Sequence, residues 1–265
     1  MGKDTKIEWC SHSANLFWGC TKVHDGCDNC YAEGTAKRWG QDVWGNDKPR
    51  RLVKGFFNDL KKYQKEAEKA ERVDTVFVGS MMDIFEKPMP IISASGNMIT
   101  YNEAGVQRQA TTDDFRQEFF KLISSGAYPN LHFLLLTKRP SNINTYIPKD
   151  WLHRPPKNVM FGTSVSNQKT ADTLIPQLLQ VHGRRFLSVE PQLGSIDLGG
   201  YLTSGGIHWV IQGGESGSNK RPFKLEWAHS LREQCKTSQV PYFFKQIDKV
   251  EEIPTDMLIR EFPKF

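Results

Sequence analysis

Short runs of β-branched and aromatic residues alternate along this chain with longer polar stretches that have helical spacing. The apolar runs predict six strands, and a further strand is expected within residues 7–18. The six predicted strands are residues 75–79, 131–137, 158–163, 185–190, 207–212 and 241–246. The polar stretches predict helices at residues 55–72, 112–124, 171–181 and 225–236.

This alternation is typical of βαβ units and of a parallel sheet. It predicts an α/β protein with one domain over residues 1–265, built as a partial (β/α)6-type TIM barrel. A doubly wound open sheet is the alternative. Residues 88–111 interrupt the alternation with the turn-like segments ASGN and NEAG around MITY. We expect a hairpin-like insertion there, after the second strand.

Polar side chains follow the predicted strands at their carboxyl ends, where barrels of this class carry their chemistry. Five strand ends share this property, and it predicts a polar pocket at one end of the barrel. The residues concerned are Ser80, Asp83, Thr137, Lys138, Arg139, Thr163, Ser164, Glu190 and Gly213 to Glu215.

Composition and charge narrow the class of protein. The chain has 265 residues, of which 38% are apolar and 25% charged, and its formal net charge is +5. This charge is compatible with a nucleic-acid partner but does not require one. No apolar run approaches the roughly 20 residues that span a bilayer, and MGKDTKIEWC has no apolar signal core. We therefore expect a cytoplasmic protein without a membrane partner.

Three of the five cysteines lie together in WGCTKVHDGCDNCY. Cys20, Cys27 and Cys30 have the spacing C-x6-C-x2-C, on a segment that Gly26 allows to bend. Disulfide frameworks are typical of small secreted chains, so clustered thiolates here favour a metal centre. The other two, Cys10 and Cys235, are expected to be buried structural thiols.

Two kinds of metal centre agree with three clustered cysteines. A structural zinc ion takes four ligands, and His24, Cys10, His12 or a residue distant in sequence would supply the fourth in a zinc-stabilised nucleic-acid-binding module. A four-iron cluster held by three thiolates keeps one iron open for a small molecule, whereas electron-transfer clusters use four cysteines. Three cysteines therefore favour a reactive cluster.

At these residues the chain resembles known enzymes. A three-cysteine loop after the first strand of a partial barrel is similar to radical S-adenosylmethionine enzymes, whose usual spacing is C-x3-C-x2-C. The wider resemblance is to a phage and prophage family of predicted radical S-adenosylmethionine enzymes, named for its three-Cys motif and encoded near three-Cys-motif partner proteins. The segments that carry it are IEW, GCTKVHDGCDNCYAE, VFVGSMMDIFE, LLLTKRP, GTSVSNQ, LSVEPQLGSIDL, HWVIQGGESG and PYFFKQ.

The resemblance implies that Cys20, Cys27 and Cys30 hold a [4Fe–4S] cluster. The open iron would bind the amino and carboxylate groups of S-adenosylmethionine, and one electron would release a 5′-deoxyadenosyl radical. It also implies an electron donor such as flavodoxin or ferredoxin, and a three-Cys-motif partner protein is a further candidate partner.

The strand-end residues receive roles from the same resemblance. Ser80 and Asp83 are assigned to the methionine amino group of S-adenosylmethionine. Thr137 and Lys138 end the next strand, where Lys138, or alternatively Arg139, pairs with the methionine carboxylate. Ser164 and Glu190 are assigned to the ribose, and Gly213 to the approach to adenine. The substrate-pocket candidates are Glu190, Glu215 and Arg139.

The substrate expected from the resemblance is a modified nucleobase, in DNA or as a free nucleotide. A concrete form is an isomerase or mutase that rearranges an amino-acid-substituted thymidine during phage DNA hypermodification, in the cytoplasm of an infected or lysogenic bacterium. A radical enzyme that acts on a peptide or small metabolite is the alternative within the same chemistry.

Overall fold

The computed structural model describes residues 5–103 and 105–264. In chain order, the strands are β1 (His12–Ala14), β2 (Phe17–Trp18), β3 (Arg50–Leu52), β4 (Asp74–Val78), β5 (Ile91–Ile92), β6 (Thr100–Glu103), β7 (Val106–Gln109), β8 (Leu131–Thr137), β9 (Val159–Ser164), β10 (Arg184–Val189), β11 (Trp209–Gly213) and β12 (Tyr242–Gln246). The helices are α1 (Tyr31–Arg38), α2 (Phe56–Lys69), α3 (Thr112–Ser124), α4 (Ile143–Tyr146), α5 (Gln168–Leu179), α6 (Gly199–Thr203) and α7 (Leu225–Thr237).

The main sheet has seven strands in the order β1-β4-β8-β9-β10-β11-β12. Every neighbouring pair is parallel. A doubly wound sheet needs a point where the strand order reverses, and this order follows the chain from one edge to the other. Successive crossovers therefore wind the same way, and the sheet curls into a half-barrel. The expectation of a partial barrel is confirmed at this level, with β1 as a seventh strand.

The predicted elements agree with the structure in kind and nearly in bounds. Strand β8 and helix α3 have the predicted limits. Helix α5 begins three residues before the predicted start, because Asn167 forms a capping box with Thr170. Helix α1 was not predicted, and it follows Cys30 directly. Within the part of the chain that the structure describes, none of the helices has the length and apolarity to cross a membrane.

The two faces of the curled sheet carry different apolar clusters. The larger cluster includes residues of the helices, such as Leu60, Phe119 and Leu231, and therefore fills the space between sheet and helices. The smaller cluster contains no helical residue, so it fills the concave face, which we call the lumen. Its buried members are Trp9, Cys10, Phe77, Leu134, Met160, Phe186, Trp209, Ile211 and Phe243.

Aromatic rings close the lumen at the amino-terminal end of the strands. The ring of Trp9 lies 4.6 Å from that of Phe77 and 6.1 Å from that of Trp209, measured between centroids. The indole of Trp209 donates a hydrogen bond to the carbonyl of Glu261, in the C-terminal segment beyond β12. The lumen therefore has an aromatic floor, and it can admit a ligand only from the carboxyl ends of the strands.

Residues 88–111 leave the main sheet. Strands β6 and β7 form an antiparallel hairpin within this segment, with residues that are mostly exposed. Strand β5, at its start, joins β2 and β3 in a small second sheet. The second sheet lies next to the cysteine segment in sequence, since Cys20 comes two residues after β2.

Candidate functional site

The segment 20–30, which we call the cysteine loop, lies across the carboxyl ends of the parallel strands. At its start, the Gly19 amide donates to the carbonyl of Met81, after β4. At its end, the Tyr31 hydroxyl donates to the carbonyl of Ser80 at 2.8 Å. Between these points Asn29 reaches the segment after β11. The cysteine loop therefore covers the mouth of the lumen.

A glycine is needed directly before the first cysteine. Gly19 has φ of +119°, and a Cβ there would lie 2.3 Å from the carbonyl oxygen of Val43. Both the backbone angle and the contact exclude a side chain. Gly19 thus allows the chain to pass from β2 into the cysteine loop close to the segment around Val43.

We expect Gly19→Ala to lower the melting temperature and to reduce iron incorporation, because the loop must move away from Val43. Gly34→Ala is the matched control, since Gly34 lies in α1 with open space around its Cα. That control should be neutral or stabilising by about 0.5–1 kcal/mol. Equal melting temperatures and iron contents in the two variants would contradict the requirement for glycine.

Cys20 lies beside a buried guanidinium. Arg139 Nη1 is 3.7 Å from Cys20 Sγ, and Arg139 Nη2 donates to the carbonyl of Thr21. Burial raises the pKa of the Cys20 thiol to about 12, the charge of Asp83 adds to this effect, and Arg139 opposes it. Iron binds the thiolate, so loading of a cluster would release this proton.

The other two cysteines lie where the loop turns into α1. Cys27 is buried in a single 3-10 turn, and Cys30 occupies the N-cap of α1, a position that favours negative charge. All five cysteines are free thiols. Within residues 5–103 and 105–264, no three His, Cys, Asp or Glu side chains meet as a group that could hold one metal ion.

The donor set fits a [4Fe–4S] cluster. Cys20, Cys27 and Cys30 belong to one loop, remain unbridged and lie at the mouth of the lumen. A four-iron cluster takes its thiolates on separate corners, so its ligands need not meet at one point as they do around zinc.

Four buried or largely buried charged residues form a network of ion pairs next to Cys20. Arg50 Nε and Nη2 each donate to a carboxylate oxygen of Glu86 at 2.8 Å, and the side chains are 0% and 2% exposed. Arg50 also donates to Thr21 Oγ1 at 2.9 Å. Arg139 extends the network, since it pairs with Asp83 at 2.7 Å and lies 3.6 Å from Glu86. The network therefore holds the start of the cysteine loop, because Arg50 contacts Thr21 and Arg139 contacts Cys20.

Four of the predicted site residues come together at the end of β8. The carboxylate of Asp83 accepts hydrogen bonds from Thr137 Oγ1 at 2.7 Å, from the amide of Lys138 at 3.1 Å and from Arg139. It also accepts from the amide of Phe85. In the structure, Asp83 therefore fixes the end of β8 and orients Arg139 toward Cys20.

Lys138 offers a positive charge at the same strand end. Its side chain is half-buried and forms no hydrogen bond or ion pair with any residue that the structure describes. Burial and the charge of Lys138 lower the pKa of His24, in the cysteine loop, to about 4. His24 is thus neutral at physiological pH, and the ammonium of Lys138 is available to an anionic group of a ligand.

Ser80 and Ser164 occupy the ends of β4 and β9, the two strands on either side of β8. Ser80 Oγ accepts a hydrogen bond from Asn15 at 2.7 Å, and Asn15 also holds the amide of Met81. Ser164 is 2% exposed and lies on the lumen face of β9, two positions beyond Gly162 and four beyond Met160.

Glu215 binds the second half of the cysteine loop. Its buried carboxylate pairs with Arg221 at 2.7 Å and accepts from Asn29 Nδ2 at 3.0 Å. Arg221 in turn donates to the carbonyl of Asp25. Burial opposes ionisation, but the hydrogen bonds from Arg221 and Asn29 outweigh it and lower the pKa of Glu215. The segment after β11 therefore holds the cysteine loop in place through the Glu215–Arg221 ion pair and its hydrogen bonds to the loop.

The predicted residues Glu190 and Gly213 lie in the lumen. Glu190 pairs there with Lys245 of β12, and Gly213 lies on the strand between them. Arg50, Glu86, Asn29, Arg221 and Lys245 were not predicted. Lys245, within PYFFKQ at a predicted strand, carried a signal that could have been used, because it is a charged residue one position before the end of an apolar strand.

The three candidates for a fourth zinc ligand lie in different parts of the structure. His24 Nδ1 accepts a hydrogen bond from the Gly26 amide, and its Nε2 is buried without a hydrogen-bond partner. His12 is on the helix side of β1, stacked on Tyr63 with ring centroids 4.1 Å apart. Cys10 lies in the cluster of the lumen floor. His24 is therefore the one of the three that shares the cysteine loop.

A family model matches residues 4–257 of the sequence, and its description is "Protein of unknown function (DUF5131)". The chain belongs to this family. No curated protein is significantly similar to it in sequence.

Among solved structures, the fold is similar to that of spore photoproduct lyase. One structure, complexed with dinucleoside spore photoproduct, has a TM-score of 0.54 and 13% identity, over 92% of this chain and 78% of that chain. A cysteine-to-serine mutant of the lyase gives a TM-score of 0.53 and 12% identity over the same shares of the two chains. This likeness shows that the half-barrel is a fold the two proteins share.

Proposed function

We propose that this protein is a radical S-adenosylmethionine enzyme whose substrate is a nucleobase in a nucleic acid or nucleotide. The observation that carries the proposal is the arrangement of three free thiols on one loop across the mouth of a half-barrel. The similarity in fold to spore photoproduct lyase, a radical S-adenosylmethionine enzyme of DNA repair, supports it.

Cys20, Cys27 and Cys30 would hold the [4Fe–4S] cluster. With S-adenosylmethionine bound, such a cluster supplies a 5′-deoxyadenosyl radical that removes a hydrogen atom from an unactivated carbon. The chain's own residues would position the ligand and exclude water. The aromatic floor closes one end of the lumen, and the cysteine loop covers the other.

The strand-end residues would bind S-adenosylmethionine. We assign its methionine carboxylate to Lys138, because this ammonium has no partner in the described part of the chain. Arg139 and Asp83 engage each other, so their first effect is to orient the end of β8. Ser80 and Ser164 offer hydroxyl groups to the amino group and the ribose.

The nucleobase substrate is supported by the complex of spore photoproduct lyase with a dinucleoside photoproduct and by the net charge of +5. Rearrangement of an amino-acid-substituted thymidine, in phage DNA hypermodification, is the specific form that we propose. Both the general and the specific form of the reaction need an electron donor such as flavodoxin or ferredoxin. A three-Cys-motif partner protein is a further candidate to bind this chain.

Product analysis tests the proposed chemistry. The anaerobically iron-loaded, reduced protein should cleave S-adenosylmethionine to 5′-deoxyadenosine slowly alone and faster with its substrate. A deuterated thymidine derivative, free or in DNA, should pass deuterium to that product. If 5′-deoxyadenosine forms but never carries label from any nucleoside or DNA, the nucleobase assignment is wrong. If none forms, the radical chemistry is wrong.

One observation favours zinc as a second candidate. His24 Nε2 is buried without a hydrogen-bond partner among the described residues, and it lies on the same loop as the three cysteines, so these four side chains would have to be drawn together to form a Cys₃His site. Metal analysis of the purified protein distinguishes the zinc protein from the iron–sulfur enzyme. A colourless protein that contains one zinc ion per chain would show that the radical proposal is wrong.

Lys138→Met is expected to weaken binding of S-adenosylmethionine about 10- to 100-fold, with iron content unchanged. Loss of one charge-assisted hydrogen bond costs about 1.5–3 kcal/mol. Lys121→Met is the control, because Lys121 is exposed on α3. Equal dissociation constants for the two variants in equilibrium dialysis would contradict the assignment of Lys138.

A further inference from the structure

One ion pair lies inside the lumen, above the aromatic floor. Lys245 Nζ donates to Glu190 Oε1, and the two side chains are 15% and 21% exposed. Neither side chain has another hydrogen bond or ion pair among the residues that the structure describes. The second oxygen of Glu190 and two hydrogens of the Lys245 ammonium are therefore available to a ligand.

The alternation of the strands places both groups on the lumen face. Phe186 belongs to the lumen cluster, and Glu190 follows it by four positions along β10 and its end. Phe243 belongs to the same cluster, and Lys245 follows it by two positions along β12. The pair thus lies toward the carboxyl ends of the strands, between the floor and the cysteine loop.

Gly213 lies between the two charges, on the intervening strand. β11 lies between β10 and β12, and its last residue is Gly213. A Cβ on Gly213 would lie 3.6 Å from Glu190 Oε1. The pairing of β11 with β12 shifts at Gln212/Gly213, so that Gly213 lies opposite Gln246. This irregularity leaves Lys245 unpaired in the ladder, a device that often directs a side chain into a site.

Tyr31, which directly follows Cys30, lies between the cysteine loop and the strand ends. Its hydroxyl donates a hydrogen bond to the carbonyl of Ser80, and 54% of its surface is exposed. The side chain of Tyr31 therefore borders an opening beside the third cysteine.

We propose that Glu190 and Lys245 recognise the imide edge of a pyrimidine base of the uracil or thymine type. This inference rests on the proposed function and defines the base that the site reads. Glu190 accepts the N3 hydrogen, and Lys245 donates to the adjacent carbonyl oxygen. An imide presents that donor between two oxygen acceptors, whereas adenine and cytosine have no ring N–H to offer to a carboxylate. Guanine has a ring N–H beside one carbonyl oxygen, but it carries an amino group in place of the second oxygen, so the guanosine dinucleotide is the decisive competitor in the test below.

The pair is better explained by recognition than by stability. Partly exposed ion pairs contribute little to folding stability, and a buried pair is often no better than apolar residues of the same size. A partly enclosed lumen strengthens hydrogen bonds to a ligand. Enzymes that act on a base commonly read its Watson–Crick edge by such hydrogen bonds.

Equilibrium binding of two dinucleotides tests the proposal. The probes are thymidylyl-thymidine and its N3-methylated form, titrated anaerobically into the iron-loaded protein. Methylation removes the hydrogen that Glu190 accepts, so we expect at least tenfold weaker binding. Glu190→Leu and Lys245→Met should each weaken binding of the unmethylated probe about tenfold, and methylation should have no further effect in Glu190→Leu. Melting temperature and iron content check that each variant folds.

Several results would overturn the proposal. The proposal is wrong if the wild type does not bind thymidylyl-thymidine, or if it binds the methylated and unmethylated probes equally well. It is also wrong if the wild type binds cytidine or guanosine dinucleotides as tightly as thymidylyl-thymidine. Failure of the proposed function is distinguishable from these. If the protein binds the methylated probe more weakly but forms no 5′-deoxyadenosine, the proposed radical chemistry is wrong and the proposed base-recognition site stands. Label-free binding data and product analysis thus report on separate claims.

Discussion

Replacing Cys20, Cys27 or Cys30 singly with Ala is expected to abolish stable iron binding in the anaerobically reconstituted protein. Each variant would leave two thiolates for a cluster that needs three protein ligands to remain attached. The expected loss is nearly complete, from about four irons per chain to a trace. Iron and sulfide analysis after removal of unbound metal measures it.

The remaining two cysteines provide matched controls. Cys10 belongs to the lumen floor, and Cys235 is fully buried in α7 against the helix-side cluster. Cys10→Ala and Cys235→Ala should therefore retain iron, although each removes a buried side chain. Loss of iron from Cys10→Ala alone would show that the ligand assignment is wrong.

Arg50→Met is expected to reduce the free energy of unfolding by about 3–5 kcal/mol, because it leaves the carboxylate of Glu86 buried without its bidentate partner. It also removes the hydrogen bond to Thr21, next to the first cysteine. The melting temperature should fall by about 10 °C. Differential scanning calorimetry of the variant beside the wild type measures this loss.

Arg51→Met is the control for that variant. Arg51 is the next residue of β3, it is half-buried, and its Nε has no hydrogen-bond partner. We expect a change within about 0.5 kcal/mol there. The double variant Arg50→Met with Glu86→Met should recover part of the lost stability, because no unpaired charge remains. An Arg50→Met protein as stable as Arg51→Met would refute the role of this network.

The parallel sheet could be predicted from the sequence because its strands are buried on both faces. Such strands read as short continuous apolar runs, and LHFLLLT matches β8 from end to end. The start of α3 could be predicted for a similar reason, since Thr111 and Asp114 form a capping box. The strand ends then indicated where polar side chains would gather.

The partners of those side chains could not be predicted. Asn29 and Glu215 are 186 residues apart, and nothing local to either residue indicates the other. Arg50 and Glu86 look like ordinary surface charges in sequence, and only the three-dimensional fold buries them. Their pairing depends on the second sheet, whose strands have two or three residues each and produce no periodic signal.

The lumen pair illustrates a different limit. The SVEP segment indicated Glu190 as a pocket residue, but the meeting with Lys245 depends on a register shift beside Gly213. A shift of one residue reverses the face to which a side chain points. The sequence contains the residues of this site, and the register of β11 and β12 decides which of them face the lumen.

The central claim is that three cysteines hold a four-iron cluster with one iron open to S-adenosylmethionine. Electron paramagnetic resonance of the anaerobically reconstituted, dithionite-reduced protein tests it most directly. We predict the signal of a reduced [4Fe–4S] cluster, and a change of its g values when S-adenosylmethionine is added, because the ligand binds the open iron. A signal that S-adenosylmethionine leaves unchanged, or a protein with zinc and no cluster signal, would contradict the account.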